Sequence, residues 1–237
     1  SATVTGEPQV RYTTNDQIPV MEIQVEFAGK DNQGQPQQKP LHVTVWNGNV
    51  AKVQAMNLAV GQSLLLEGSV AMDKVQTTEG QKRTTAKFWA YKVIPAAADY
   101  GLNIVNIAGR LGQEPSDDVK YFESGNMVAT NSIAVRRPKK DTEPDWFRCK
   151  FWNKTGESIV DHQHKGNTIG VTGRLDIEIF QDRNTGEVRH TPVLVGDRVS
   201  FLGSKSNGES HTAPAAPAAV SASVPAPSET NYDDIPF

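Results

Sequence analysis

Apolar and polar side chains alternate one for one through valine- and threonine-rich runs of this chain. A period of two belongs to β-strands with one buried face. The clearest instance is residues 146–153, WFRCKFWN. Phe147, Cys149 and Phe151 share one face; Trp146, Arg148, Lys150 and Trp152 share the other. The first face predicts a core contact. The second sets two flat indoles around two cations. Two readings are open for it: a platform on which bases stack while cations meet phosphates, or an ordinary solvated strand face.

The same order of elements is written twice. Glu7-Pro8 and Arg11-Tyr12 return as Glu114-Pro115 and Lys120-Tyr121, and Trp46-Asn47 returns as Trp152-Asn153. Gly61, Gly68, Gly80, Arg83 and Thr85 return as Gly166, Gly173, Gly186, Arg189 and Thr191. An ordered offset of about 106 residues marks an internal repeat. The second copy predicts strands over Ile104–Gly109, Met127–Val135, the stretch around Trp152, Thr168–Phe180 and Thr191–Leu202. Gln181 to Gly186 has hairpin-turn chemistry. A short helix precedes Gly166, and Val50–Met56 is its counterpart in copy one. Five strands with a helix after the third is the element order of an OB-fold. The predicted fold is all-β, with two tandem five-stranded OB-fold barrels followed by a disordered C-terminal tail.

The expected domains are 1–95 and 101–204, joined near Pro95 to Gly101. Copy one looks short at its start, because only Ser1 to Thr5 precede Gly6-Glu7-Pro8. The absent methionine favours a trimmed first strand over a barrel that lacks one. Residues 205–230 shift to Ala, Pro, Ser and Val without periodicity, a composition that cannot offset chain entropy by burial. Residues 231–237 end in Asp233, Asp234, Ile235, Pro236 and Phe237. Such an end suits a partner with an apolar pocket rimmed by cations; the alternative is an acidic solubilising end.

The net charge of −3 conceals an uneven distribution. Outside 205–237 the charges balance, and the tail is acidic, so an anion site must be a local patch. A single cysteine, Cys149, precludes an internal disulfide and fits a reducing compartment. No run is long and apolar enough for a membrane span, and no secretory leader is visible. Cytoplasmic, nucleoid-associated work is expected. His162 and His164 lack acid or Cys ligands at zinc spacing, and no nucleophile elbow or phosphate loop appears. Neither enzyme activity nor a cofactor or metal is expected.

Gly109-Arg110-Leu111-Gly112, Val119-Lys120-Tyr121, Asp145 to Lys154, Gly173-Arg174-Leu175 and Asp-Asp-Ile-Pro-Phe together resemble the bacterial single-stranded DNA-binding protein family. Copy two is most similar to its cyanobacterial and plastid branch; copy one is a weaker match. The resemblance implies sequence-independent binding of single-stranded DNA. It also implies a homodimer giving four OB-folds, and recruitment of replication, recombination and repair proteins through the tip. It places base stacking at Trp146, Trp152 and Phe180, with Tyr121 and Trp46 as further aromatic positions. Arg148 and Lys154 match its basic positions. Arg110, Arg136, Arg137, Lys139, Lys140 and Lys150 complete the expected phosphate contacts. Cations replace a family Trp in the region of Arg136-Arg137-Pro138.

Two departures qualify that implication. Asp176 and Glu178 share the face of Phe180, where the family often carries cations; they should weaken phosphate attraction or turn the strand toward a protein. In copy one, Leu41, Val43 and Val45 keep the core face, but the other face reads Pro40, His42, Thr44 and Trp46, and Val75 stands where copy two has Phe180. Copy two is therefore expected to supply most of the binding. An OB-fold protein-interaction module, such as a primosome-like accessory with weak or no DNA binding, is the competing reading.

Overall fold

The computed structural model describes residues 1–31, 33–76, 82–137, 143–181 and 186–203. The expected linker and tip, residues 205–237, lie outside the described residues.

The first repeat runs β1 (Ala2–Val4), β2 (Gln9–Tyr12), β3 (Pro19–Lys30), β4 (Pro36–Trp46), α1 (Gly48–Gln54), β5 (Ser63–Gln76) and β6 (Lys82–Ala96). The second runs β7 (Val105–Leu111), β8 (Val119–Tyr121), β9 (Met127–Val135), β10 (Asp145–Trp152), α2 (Asn153–His162), β11 (Thr168–Gln181) and β12 (Val188–Phe201). Each repeat closes a five-strand ring: β1-β3-β4-β6-β5 and β7-β9-β10-β12-β11. The closing pairs β4–β6 and β10–β12 are parallel and every other pair is antiparallel. The short β2 and β8 are additions to the expected five, each hairpinned onto β3 or β9 alone.

β1 has three residues against seven for β7, yet it bridges β3 and β5 through Thr3↔Glu26, Val4↔Val25 and Ala2↔Leu64. Ala2 and Val4 are buried, so the first ring is closed rather than missing a strand. Helix α1 starts two residues before the expected Val50 and ends at Gln54, where the Met56 and Asn57 N–H groups tighten onto Val53 and Gln54 and Asn57 then turns to φ 48.

Alternation holds where the core needs it. Phe147, Cys149 and Phe151 are buried, as are Leu41, Val43 and Val45 on β4 and Leu175 and Ile177 on β11. Fully burying each large apolar side chain contributes about 1.5–3 kcal/mol. Burial also pushes the Cys149 thiol far up, leaving it a small inert hydrophobe.

The repeated residues have local reasons. The ladder skips a residue between Glu67 and Gly68 and again between Thr172 and Gly173. A Cβ on Gly68 would lie 2.1 Å from the Trp89 carbonyl oxygen, and one on Gly173 2.0 Å from that of Val195. Only glycine permits the bulge that bends these long strands. Asn47 and Asn153 turn strand into helix at φ 52 and 48, a region asparagine tolerates better than most residues.

The barrels contact each other reciprocally. Lys39, in the first half of β4, is buried at 2% exposure. Its Nζ donates to Gln37 Oε1 at 2.8 Å and lies 3.6 Å from Asp176 on β11. Asp145 opens β10 in the same register, since Phe27↔Lys39 matches Val135↔Asp145. Asp145 Oδ1 accepts the Met72 N–H at 2.9 Å, from the long strand β5 of the first barrel. Arg137 donates to Asp145 at 3.0 and 2.7 Å and to the Met72 carbonyl at 3.2 Å. The Arg137–Asp145 pair thus stands in for a neighbouring strand at Met72. Between these clasps, β6 packs against its counterpart β12.

Candidate nucleic-acid interface

Residues directly opposite in a sheet point to the same face. The pairs Trp146↔Ala134, Arg148↔Ser132, Lys150↔Thr130 and Trp152↔Val128 therefore put four large side chains outward over small neighbours. Trp146 and Trp152 are each 41% exposed. Both are held in place. Phe122 stacks on Trp152 with ring centroids 5.6 Å apart and an interplanar angle of 24°. Asn153 ties the hairpin carrying Phe122 to the end of β10. Its Oδ1 accepts the Met127 N–H at 3.0 Å and its Nδ2 donates to Asn126 Oδ1 at 3.1 Å. Trp146 lies over Gly112, where a Cβ would come within 2.6 Å of Cζ3.

Phe180 is exposed near the end of β11, opposite Arg189. Tyr121 is exposed too, but it pairs with Met127, on the face opposite Val128 and Trp152. Lys120 is the β8 residue in line with Val128 and Trp152. Phe122 and Lys120 are thus additions to the residues singled out from sequence.

The cations divide into two groups. Arg110, Lys120, Arg136, Arg148 and Lys154 are exposed and make no ion pair among the described residues. Arg137 is committed to Asp145, whose carboxylate raises its already high pKa, and Lys150 is paired with Glu178. Lys139 and Lys140 lie outside the described residues. The expectation that Asp176 and Glu178 repel phosphate changes as a result. Asp176 faces Lys39 of the first barrel and Glu178 faces Lys150. Away from this face, His164 meets Glu114 at 3.4 Å in an exposed pair.

Barrel one repeats part of the arrangement. Arg11↔Val20↔Trp46 matches Lys120↔Val128↔Trp152 strand for strand. Trp46 is 42% exposed. On β6, Lys87↔His42 and Trp89↔Thr44 place two more side chains on that outer face. Trp89 is 41% exposed, and Tyr91 is exposed with its hydroxyl donating to Ser69 Oγ at 2.7 Å. The alternation of Lys87, Trp89 and Tyr91 was available in the sequence; what it lacked was the parallel register that brings β6 beside β4. Among the described side chains of this face, the cations are paired: Arg11 with Glu22 at 2.7 Å, Lys87 with Asp73 at 2.5 Å and Lys92 with Glu67 at 3.3 Å. The side chain of Val75 lies outside the described residues.

Known proteins bear on this geometry. The model of the "Single-strand binding protein family" matches residues 1–94 and again 102–202. A "Single-stranded DNA-binding protein" of Thermosynechococcus vestitus is 41% identical over 115 residues, covering 48% of this chain and 94% of that one. "Single-stranded DNA-binding protein 1" of a Nostoc species is 41% identical over 116 residues, with 49% and 96% covered. The fold is similar to the wild-type single-stranded DNA binding protein of Thermus aquaticus. The TM-score is 0.64 at 21% identity, over 86% of this chain and 90% of that chain.

Proposed function

The chain belongs to the single-strand binding protein family, and we propose that it coats single-stranded DNA without sequence preference, chiefly through the outer face of the second barrel. It is not an enzyme. The observation that carries the reading is the pair of exposed, braced indoles on β10 with unpaired Arg148 between them. Bases stack on Trp152, Trp146 and Phe180 at about 1–3 kcal/mol each, and every base has a face to offer. Phe122 backs Trp152, so that indole need not be ordered on binding. Arg110, Arg136, Arg148 and Lys154 follow the phosphates, and Lys139 and Lys140 add to their charge. Four such contacts give log K a slope of about −3 against log salt. Arg137 and Lys150 act instead by holding the face together. Trp46 extends the stacking path onto barrel one, whereas Tyr121, on the other face of β8, lies off it.

Titration of intrinsic fluorescence with oligo(dT) tests this. Strong quenching is expected, and the double variant Trp146→Ala, Trp152→Ala should lose about 10²-fold or more in affinity. Wild-type binding by that variant at low salt would refute the reading and leave an OB-fold interaction module in its place.

The finer roles follow the family. The C-terminal tail carries Asp233, Asp234, Ile235, Pro236 and Phe237 to replication, recombination and repair proteins on the nucleoid. Two chains assemble to give four barrels. Deleting residues 233–237 should spare DNA binding and abolish partner capture; capture that survives the deletion refutes the tip assignment. A solution mass of one chain, with and without oligo(dT), refutes the dimer.

A further inference from the structure

We propose that barrel one carries its own base-stacking platform, built on Trp89 of β6 beside Trp46 of β4, which contributes stacking with little counterion release. This rests on the single-strand reading above. The platform lies one strand over from that of the second barrel. Trp89 corresponds in register to Val195: Val43↔Phe88 and Thr44↔Trp89 match Cys149↔Leu194 and Lys150↔Val195. Val195 is 8% exposed, whereas Trp89 is 41% exposed. Barrel one therefore holds an indole on the outer surface where barrel two has a buried valine.

The neighbourhood favours a nucleic-acid base over other occupants. Arg11, Val20 and Trp46 repeat the row of Lys120, Val128 and Trp152, so the first platform is a variant of the second. Thr44, flanked by Glu22 and Trp89, is buried although it points outward. This gives a floor without charge between the indoles of Trp46 and Trp89. Among the described side chains the cations around it are engaged, Arg11 by Glu22 and Lys87 by Asp73. Each already has a carboxylate beside it, so a phosphate gains less from it than from an unpaired cation. A base needs only the exposed ring faces, which are indifferent to its identity.

The experiment uses the full chain and oligo(dT) of two lengths. One is about 12 nucleotides, short enough for a single barrel; the other is about 35, long enough for two. Trp89→Ala should weaken the long oligomer roughly 5- to 150-fold, the range expected for removing one base stack, and leave the short one unchanged. Trp89→Phe should retain most of the affinity. The salt slope should be the same in Trp89→Ala and wild type, whereas Arg148→Ala should flatten it by about 0.7. Unchanged long-oligomer affinity in Trp46→Ala, Trp89→Ala would overturn the platform. If Trp146→Ala, Trp152→Ala still weakened both lengths, the second-barrel reading would stand alone. Equal loss at both lengths in Trp89→Ala would also overturn it, by placing the effect on the fold. Loss in no variant would remove both readings.

Discussion

At the scale of the residue, the binding face depends on residues that never touch a ligand. Gly112 is the clearest. A Cβ there would meet Trp146 Cζ3 at 2.6 Å and the Ser132 carbonyl at 2.8 Å, and the carbonyl belongs to the sheet and cannot yield. Gly112→Ala should displace the indole, cost about 1–3 kcal/mol of stability and weaken oligo(dT) binding by about tenfold, which is within the worth of a single base stack. Urea unfolding and the fluorescence titration read the two effects separately. A Gly112→Ala chain with wild-type stability and affinity would show that Trp146 is not seated as described. Asn153 works in the same indirect way. Its positive φ ends β10 and its side chain fixes the hairpin that presents Phe122.

At the scale of the element, the long strands are legible and the short ones are not. Residues 146–152 announce a strand because seven alternating positions outweigh any competing period, and the core face is as expected. β8 has three residues and β2 four, with most side chains exposed, so no periodic signal can form. With β8 unseen, Phe122 was invisible as a partner for Trp152. Trp89 was missed for another reason. Its alternation with Lys87 and Tyr91 is written in the chain, but its meaning depends on the β4–β6 pairing, a parallel contact between strands distant in sequence. The signs of Asp176 and Glu178 could be read directly. Their partners could not, because Lys39 comes from the other barrel and Lys150 from β10, which is not paired with β11.

At the scale of the whole molecule, the two barrels are joined by buried polar contacts, and such contacts are sensitive to losing one partner. Asp176→Ala leaves Lys39 buried with Gln37 as its hydrogen-bond partner. It should destabilise the chain by about 2–4 kcal/mol, less than for a fully enclosed pair because Asp176 is partly exposed. Adding Lys39→Met should recover most of that stability, since an apolar side chain of similar length fills the same space. Urea unfolding of the three proteins distinguishes the outcomes; an Asp176→Ala chain as stable as wild type would remove Lys39–Asp176 as a joint.

The same joint carries a record of history. Lys39 and Asp145 hold one station in the two copies, matched in register and each pressed against the long strand of the other barrel. Two identical subunits packed in this way would have to place the same residue at both stations. A cation at one and an anion at the other require copies free to mutate separately. The unlike residues are therefore open only to a chain that carries both copies, and each barrel is fitted to the other rather than to a second copy of itself.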